Sequence, residues 1–106
     1  MTTFNDRERA FEEKFKLDQE LQFRVDNRRN KLLGLWLAEM FGKTGEEAEE
    51  YAKEVVAADF DEPGIEDVLR KVMADVEAAG IDLSEHRVRK KLDELTHEAK
   101  QQIMEE

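Results

Sequence analysis

The chain contains no cysteine and a single proline among its 106 residues. Without thiols it can form no disulfide, no thiolate metal site and no cysteine nucleophile. With five glycines beside that proline, it has few points at which a helix must stop. β-Branched residues are sparse, and no segment alternates with a period of two between hairpin turns, so a sheet protein is excluded. Long apolar runs are missing as well. The uncharged stretch Leu32 to Ala38 falls far short of the ~20 residues a bilayer span needs. The N-terminus turns charged at Asp6, which leaves no apolar signal region. The expectation is a soluble, cytoplasmic chain without direct membrane insertion. Basic residues are in the minority: 27 Asp and Glu against 17 Lys and Arg give a net charge of -10. A phosphate backbone would repel such a chain, so no nucleic acid is expected as a partner.

What is present is helix-forming. Glu, Lys, Arg, Ala and Leu dominate, and the length allows one domain with a modest core and marginal stability. Gly42, Pro63-Gly64 and Gly80 divide the chain into four helical stretches. The first runs from about Asn5 to Phe41, too long for one ordinary globular helix. Asn5 and Glu8 have the spacing of a capping box. A polar run from Asp26 to Lys31 separates a sparse apolar stripe (Phe4, Phe11, Phe15, Leu21, Val25) from a dense block, Leu32 to Ala38. That block should be the centre of the core.

The second helix is expected from Glu46 to about Phe60, capped by Thr44 with Glu47 reciprocating, and buries Ala48, Tyr51, Ala52, Val55, Val56 and Phe60. The third spans Ile65 to Ala79 and ends at Gly80. Its apolar positions Ile65, Val68, Leu69, Val72, Met73 and Val76 recur at helical spacing. Ser84 caps the fourth, in which Val88, Leu92, Leu95, Ala99 and Ile103 share a face and Leu83 meets Val88 as a staple. Four such helices with short connections pack as an all-α, four-helix bundle-like domain.

Catalytic chemistry has little support. From Glu46 to Glu62 there are eight acids and one lysine, the pattern of a solvated face rather than of a tuned carboxylate pair. His86 and His97 lie too far apart for a local metal pair, and no cysteine joins them, so no metal site is expected. Ser84 lacks a nucleophile elbow, and no glycine-rich phosphate loop occurs. The basic runs Arg24 to Lys31 and Arg87 to Lys91 could meet a phosphate or an acidic partner, but more commonly such runs solvate a helix or pair with the acidic second helix. Phe4, Phe11 and Phe15, set among charges of both signs, suit docking into a groove on another protein; folding back onto the chain's own core suits them equally.

At these residues the chain resembles a known family. Thr2-Thr3-Phe4, Asp6-Arg7-Glu8, Ala10-Phe11-Glu12 and Lys14-Phe15 are similar to the N-terminus of the zeta subunit family of alphaproteobacterial F-type ATP synthase. The resemblance continues through Arg28 to Trp36, Tyr51 to Val56, Ala58-Asp59-Phe60, Glu66 to Val72 and Gln102-Ile103-Met104. It implies a four-helix fold and a non-enzymatic role, inhibition of ATP hydrolysis by the synthase's catalytic head. The implied partner-binding residues are Thr2, Thr3, Phe4, Asn5, Asp6, Arg7, Glu8, Arg9, Phe11, Glu12, Lys14 and Phe15. Residues 1–20 would then be a partly mobile inhibitory segment, entering an alpha/beta interface beside gamma, and 21–106 the helical domain. The resemblance implies a chain that is monomeric when free and reaches the cytoplasmic face of the inner membrane through the synthase. No cofactor is expected beyond weak ADP or ATP binding, to which the family has been linked and for which no motif locates a site. The alternative is a free-standing nucleotide-sensing module with weak or no inhibition.

Overall fold

In the computed structural model the backbone is described for residues 3–59 and 64–106, and the side chains for 18–59 and 64–106. Among the described residues there are four helices and no strand: α1 (Thr3–Met40), α2 (Glu46–Ala57), α3 (Glu66–Ala79) and α4 (Glu85–Glu105). The all-α expectation holds, with one correction at its longest element. The first stretch is a single helix of 38 residues, despite its length. Its polar run contains no glycine or proline, and Arg, Asn and Lys in a helix cost only a few tenths of a kcal/mol each. Nor does the run separate two halves, because Arg29 and Asn30 within it are buried.

Gly42 stops α1. At φ +77° it lets its own N–H reach Glu39 O (3.1 Å) and that of Lys43 reach Ala38 O (2.9 Å). These are the two bonds of a Schellman turn. Gly80 ends α3 with the same pair, from Gly80 to Glu77 and from Ile81 to Val76. The N-termini follow expectation less evenly. Ser84 Oγ accepts from the Arg87 N–H at 3.2 Å and caps α4. At α2 the expected Thr44–Glu47 box does not form. Gly45 at φ +55° occupies the cap, which puts Thr44 outside it, and no side chain caps the helix. Glu46, Glu47 and Glu49 in its first turn complement the dipole instead. α2 ends at Ala57, short of the expected end at Phe60, a residue outside those described.

α1 is the axis of the molecule, packing most extensively against α2 and α4, while α3 packs on both of those. The main core joins Leu33, Leu37 and Ala38 of α1 to Tyr51, Val55, Val68, Leu69, Val72, Val76, Val88, Leu92 and Leu95. The dense block is therefore at the centre of the core, as its composition requires. A smaller cluster of Val25, Ala99 and Ile103 closes the α1–α4 seam nearer the N-terminal half of α1. Gly34 sets the α1–α2 approach, since a Cβ there would lie 2.6 Å from Ala52 Cα.

Candidate functional site: the root of the N-terminal helix

The side chains assigned to the partner-binding segment, Thr2 to Phe15, lie outside the described residues, as does the Asn5–Glu8 capping box. From Thr3 their backbone forms the first turns of α1. What the structure shows is the root that carries them, and it is built from charge.

On one flank α4's last turn is tied to α1. Arg24 Nη2 lies 3.0 Å from Glu106 Oε2, Arg28 Nη1 donates to Gln102 Oε1 at 2.8 Å, and Arg28 Nη2 donates to Glu106 Oε1. The hydrogen bond from Arg28, with the charges of Arg28 and Arg24, holds the Glu106 carboxyl below its ordinary range. On the other flank is a buried polar group. Asn30, fully buried, donates through Nδ2 to Asp59 Oδ2 (3.1 Å) and accepts from Arg29 Nε (3.1 Å). Arg29 also donates to Asp26 at 3.3 Å and lies 3.9 Å from Asp59. Among the described residues no buried side-chain polar atom lacks a partner. An apolar cavity of about 280 Å³ opens beside this root, lined by Leu21, Val25, Ile103 and Met104 with Asp18, Gln22 and Lys100 around them.

Two further polar sites lie along the domain. Tyr51 donates to Asp75 at 2.8 Å, Lys71 pairs with Asp75 at 2.9 Å, and the Lys71 ammonium sits 5.5 Å from the Tyr51 ring centre. Burial first, and then the hydrogen bond and charge of Asp75, push the Tyr51 phenol far above its ordinary range. It stays protonated and acts as a structural donor. At Trp36, the Lys91 ammonium lies 5.3 Å from the ring centre, beside a crevice of about 100 Å³ that Arg87, Lys90 and Glu94 complete.

The basic runs mostly do not meet the acidic second helix. Arg29 reaches Asp59 just past α2, but Arg24 and Arg28 pair with Glu106 on α4, and Arg89 with Glu66 and Glu85. The reason is position: the acids at the start of α2 face solvent, while Arg24, Arg28 and Arg89 stand within reach of carboxylates elsewhere. His86 and His97 are exposed helix residues, as expected. Among the described residues no group of His, Cys, Asp and Glu could hold a metal, and no helix is long and apolar enough to cross a membrane.

Residues 1–102 match the family described as ATPase inhibitor subunit zeta. The chain belongs to this family. The match runs from the first turns of α1 almost to the end of α4, and with it comes an inhibitory, regulatory role. A solved structure, titled as a solution NMR structure, is similar at 50% identity with a TM-score of 0.72, covering 80% of this chain and 96% of that one. Comparison with curated proteins finds no match.

The zeta-family residues legible only in part were those at the root. Asn30 stands on the same face as Leu33 and Leu37, three and seven residues on, and that spacing was the signal that it would be buried. Nothing comparable marked Asp59 as its partner, because that contact crosses between elements.

Proposed function

We propose that this chain inhibits ATP hydrolysis by the catalytic head of an F-type ATP synthase, its N-terminal helix entering an alpha/beta interface beside gamma. The observation that supports the reading is a family match that begins at residue 1 and runs onto a helix unbroken from Thr3 to Met40. Among the described side chains Asp18 already lines the cavity between α1 and α4, and α1 begins roughly four turns before it. A continuous helix lets the core and the root clamp orient the segment that precedes them.

Phe4, Phe11 and Phe15 serve as apolar anchors in this reading. Thr2, Thr3 and Asn5, with Asp6, Arg7, Glu8, Arg9, Glu12 and Lys14, supply the polar contacts around them. Rotation requires the interface to open and close, so a helix lodged in it holds one state. Inhibition then equals the difference in affinity for the closed and open states. The free chain is a monomer, and it is held at the cytoplasmic face of the inner membrane through the synthase.

The test is ATP hydrolysis by the isolated cognate head, titrated with the full chain and with one that begins at Leu21. Inhibition by the full chain, absent with the shortened one although its helical circular dichroism shows it folded, is the expected result. Failure of both folded proteins to inhibit would overturn the reading and leave the nucleotide-sensing module in its place.

A further inference from the structure

The crevice at Trp36 is the feature that insertion of the N-terminal helix does not use. Arg87, Lys90, Lys91 and Glu94 follow one another on one face of α4 at helical spacing, and Trp36 of α1 lies beneath them. Lys91 is engaged, over the Trp36 ring and 3.7 Å from Glu94. Arg87 and Lys90 are exposed, and among the described residues neither side chain has an anionic partner. In a chain of net charge -10, two cations left without counterions beside a third are a local inversion of sign.

We infer that this patch is a second docking point, which receives an acidic helical segment of the partner with carboxylates one turn apart. The inference rests on the reading of the chain as an inhibitor of a larger assembly. Three observations favour such a segment over a small phosphate ligand. The crevice, at about 100 Å³, is well below the roughly 300 Å³ at which small-ligand pockets begin. The Lys91 ammonium already covers a face of the Trp36 ring, which leaves that face closed to a stacked base. The cations also stretch along α4 rather than converging on one point, and Arg87 and Lys90 are one turn apart. A row of that kind matches carboxylates on a second helix. Binding here would orient the helical domain and so fix the direction in which α1 points.

The experiment measures the affinity of the full chain for the isolated catalytic head at low and at high salt. It compares the natural sequence with the double variant Arg87→Glu/Lys90→Glu and with Lys53→Glu, an exposed base on α2. The double variant should weaken binding about tenfold at low salt, with the difference shrinking at high salt, while Lys53→Glu stays within about twofold. An unchanged affinity, or an equal loss for both variants, overturns the proposal. Hydrolysis is read on the same samples. A natural sequence that inhibits while the double variant inhibits just as tightly overturns the docking point and leaves the inhibitory reading standing. A natural sequence that binds through the patch without inhibiting overturns the inhibitory reading alone. On the isolated chain, displacement of the Trp36 indole N–H resonance by millimolar ADP or inorganic phosphate would assign the patch to a phosphate ligand and overturn the proposal.

Discussion

The two halves of α1 are held by different forces. From Leu33 to Ala38 the helix is gripped by apolar side chains of the other three helices, with Leu33, Leu37 and Ala38 fully excluded from water. From Leu21 to Asn30 it is held by a thin apolar seam and by two polar groups, the Arg24–Arg28–Glu106 clamp and the Asp26–Arg29–Asn30–Asp59 network. Packing tolerates any orientation that fills space, but hydrogen-bonded ions accept few. The apolar half therefore supplies most of the folding energy, and the polar half restricts the rotation and register of α1 against α4 and the end of α2.

The comparison can be broken at its strong end first. Leu37→Ala empties a fully buried site and should cost about 2–5 kcal/mol, read as a lowered denaturant midpoint. In a domain of this size that can be much of the total stability. Asp59→Ala should cost less, about 1–3 kcal/mol, because it leaves the Asn30 amide and part of Arg29 without an acceptor. Asp59→Asn, which retains an acceptor oxygen, should recover part of the loss in the same denaturation series. Gly34→Ala comes third. Helix propensity favours alanine by about 1 kcal/mol, but its Cβ would meet the Ala52 backbone 2.6 Å away, and overpacking costs about 1–3 kcal/mol. Backbone gives way little, so the net effect should be destabilising by about 1 kcal/mol in thermal unfolding.

The smallest effect is at Glu106 and depends on pH. Its carboxyl is held below the ordinary range by the Arg28 hydrogen bond first. The stabilisation is therefore fully present above the unfolded carboxylate pKa and is lost as pH falls through the lower folded value. An NMR titration should show Glu106 protonating at lower pH than a free glutamate, and Arg28→Gln should return it towards the usual range. Global stability should scarcely move, since the group is exposed.

Much of the fold could be read from local chemistry. Gly42 and Gly80 mark helix ends because the left-handed turn needs them, and Ser84 marks a start because its hydroxyl can meet a free N–H. The faces of α3 and α4 followed their periodicity. Two of the expectations that failed did so for different physical reasons, one a contact across the fold and the other a local turn. The polar run from Asp26 to Lys31 looked like a divider, yet the other elements supply Asp59, Glu106 and Gln102 as partners, and α1 passes through unbroken. Thr44 and Glu47 had the spacing of a cap, but the chain turned at Gly45.

For the candidate site the division is sharper. The family could be read from residues in order along the chain, since a motif is a property of sequence. That Trp36 meets Lys91 across two helices, and that Arg87 and Lys90 beside them find no counterion among the described residues, could not. The sequence by itself determined the helices, the apolar faces and the kinship. The tertiary structure alone decided which charges pair, because an ion's partner is set by distances of a few ångströms between elements far apart in the chain.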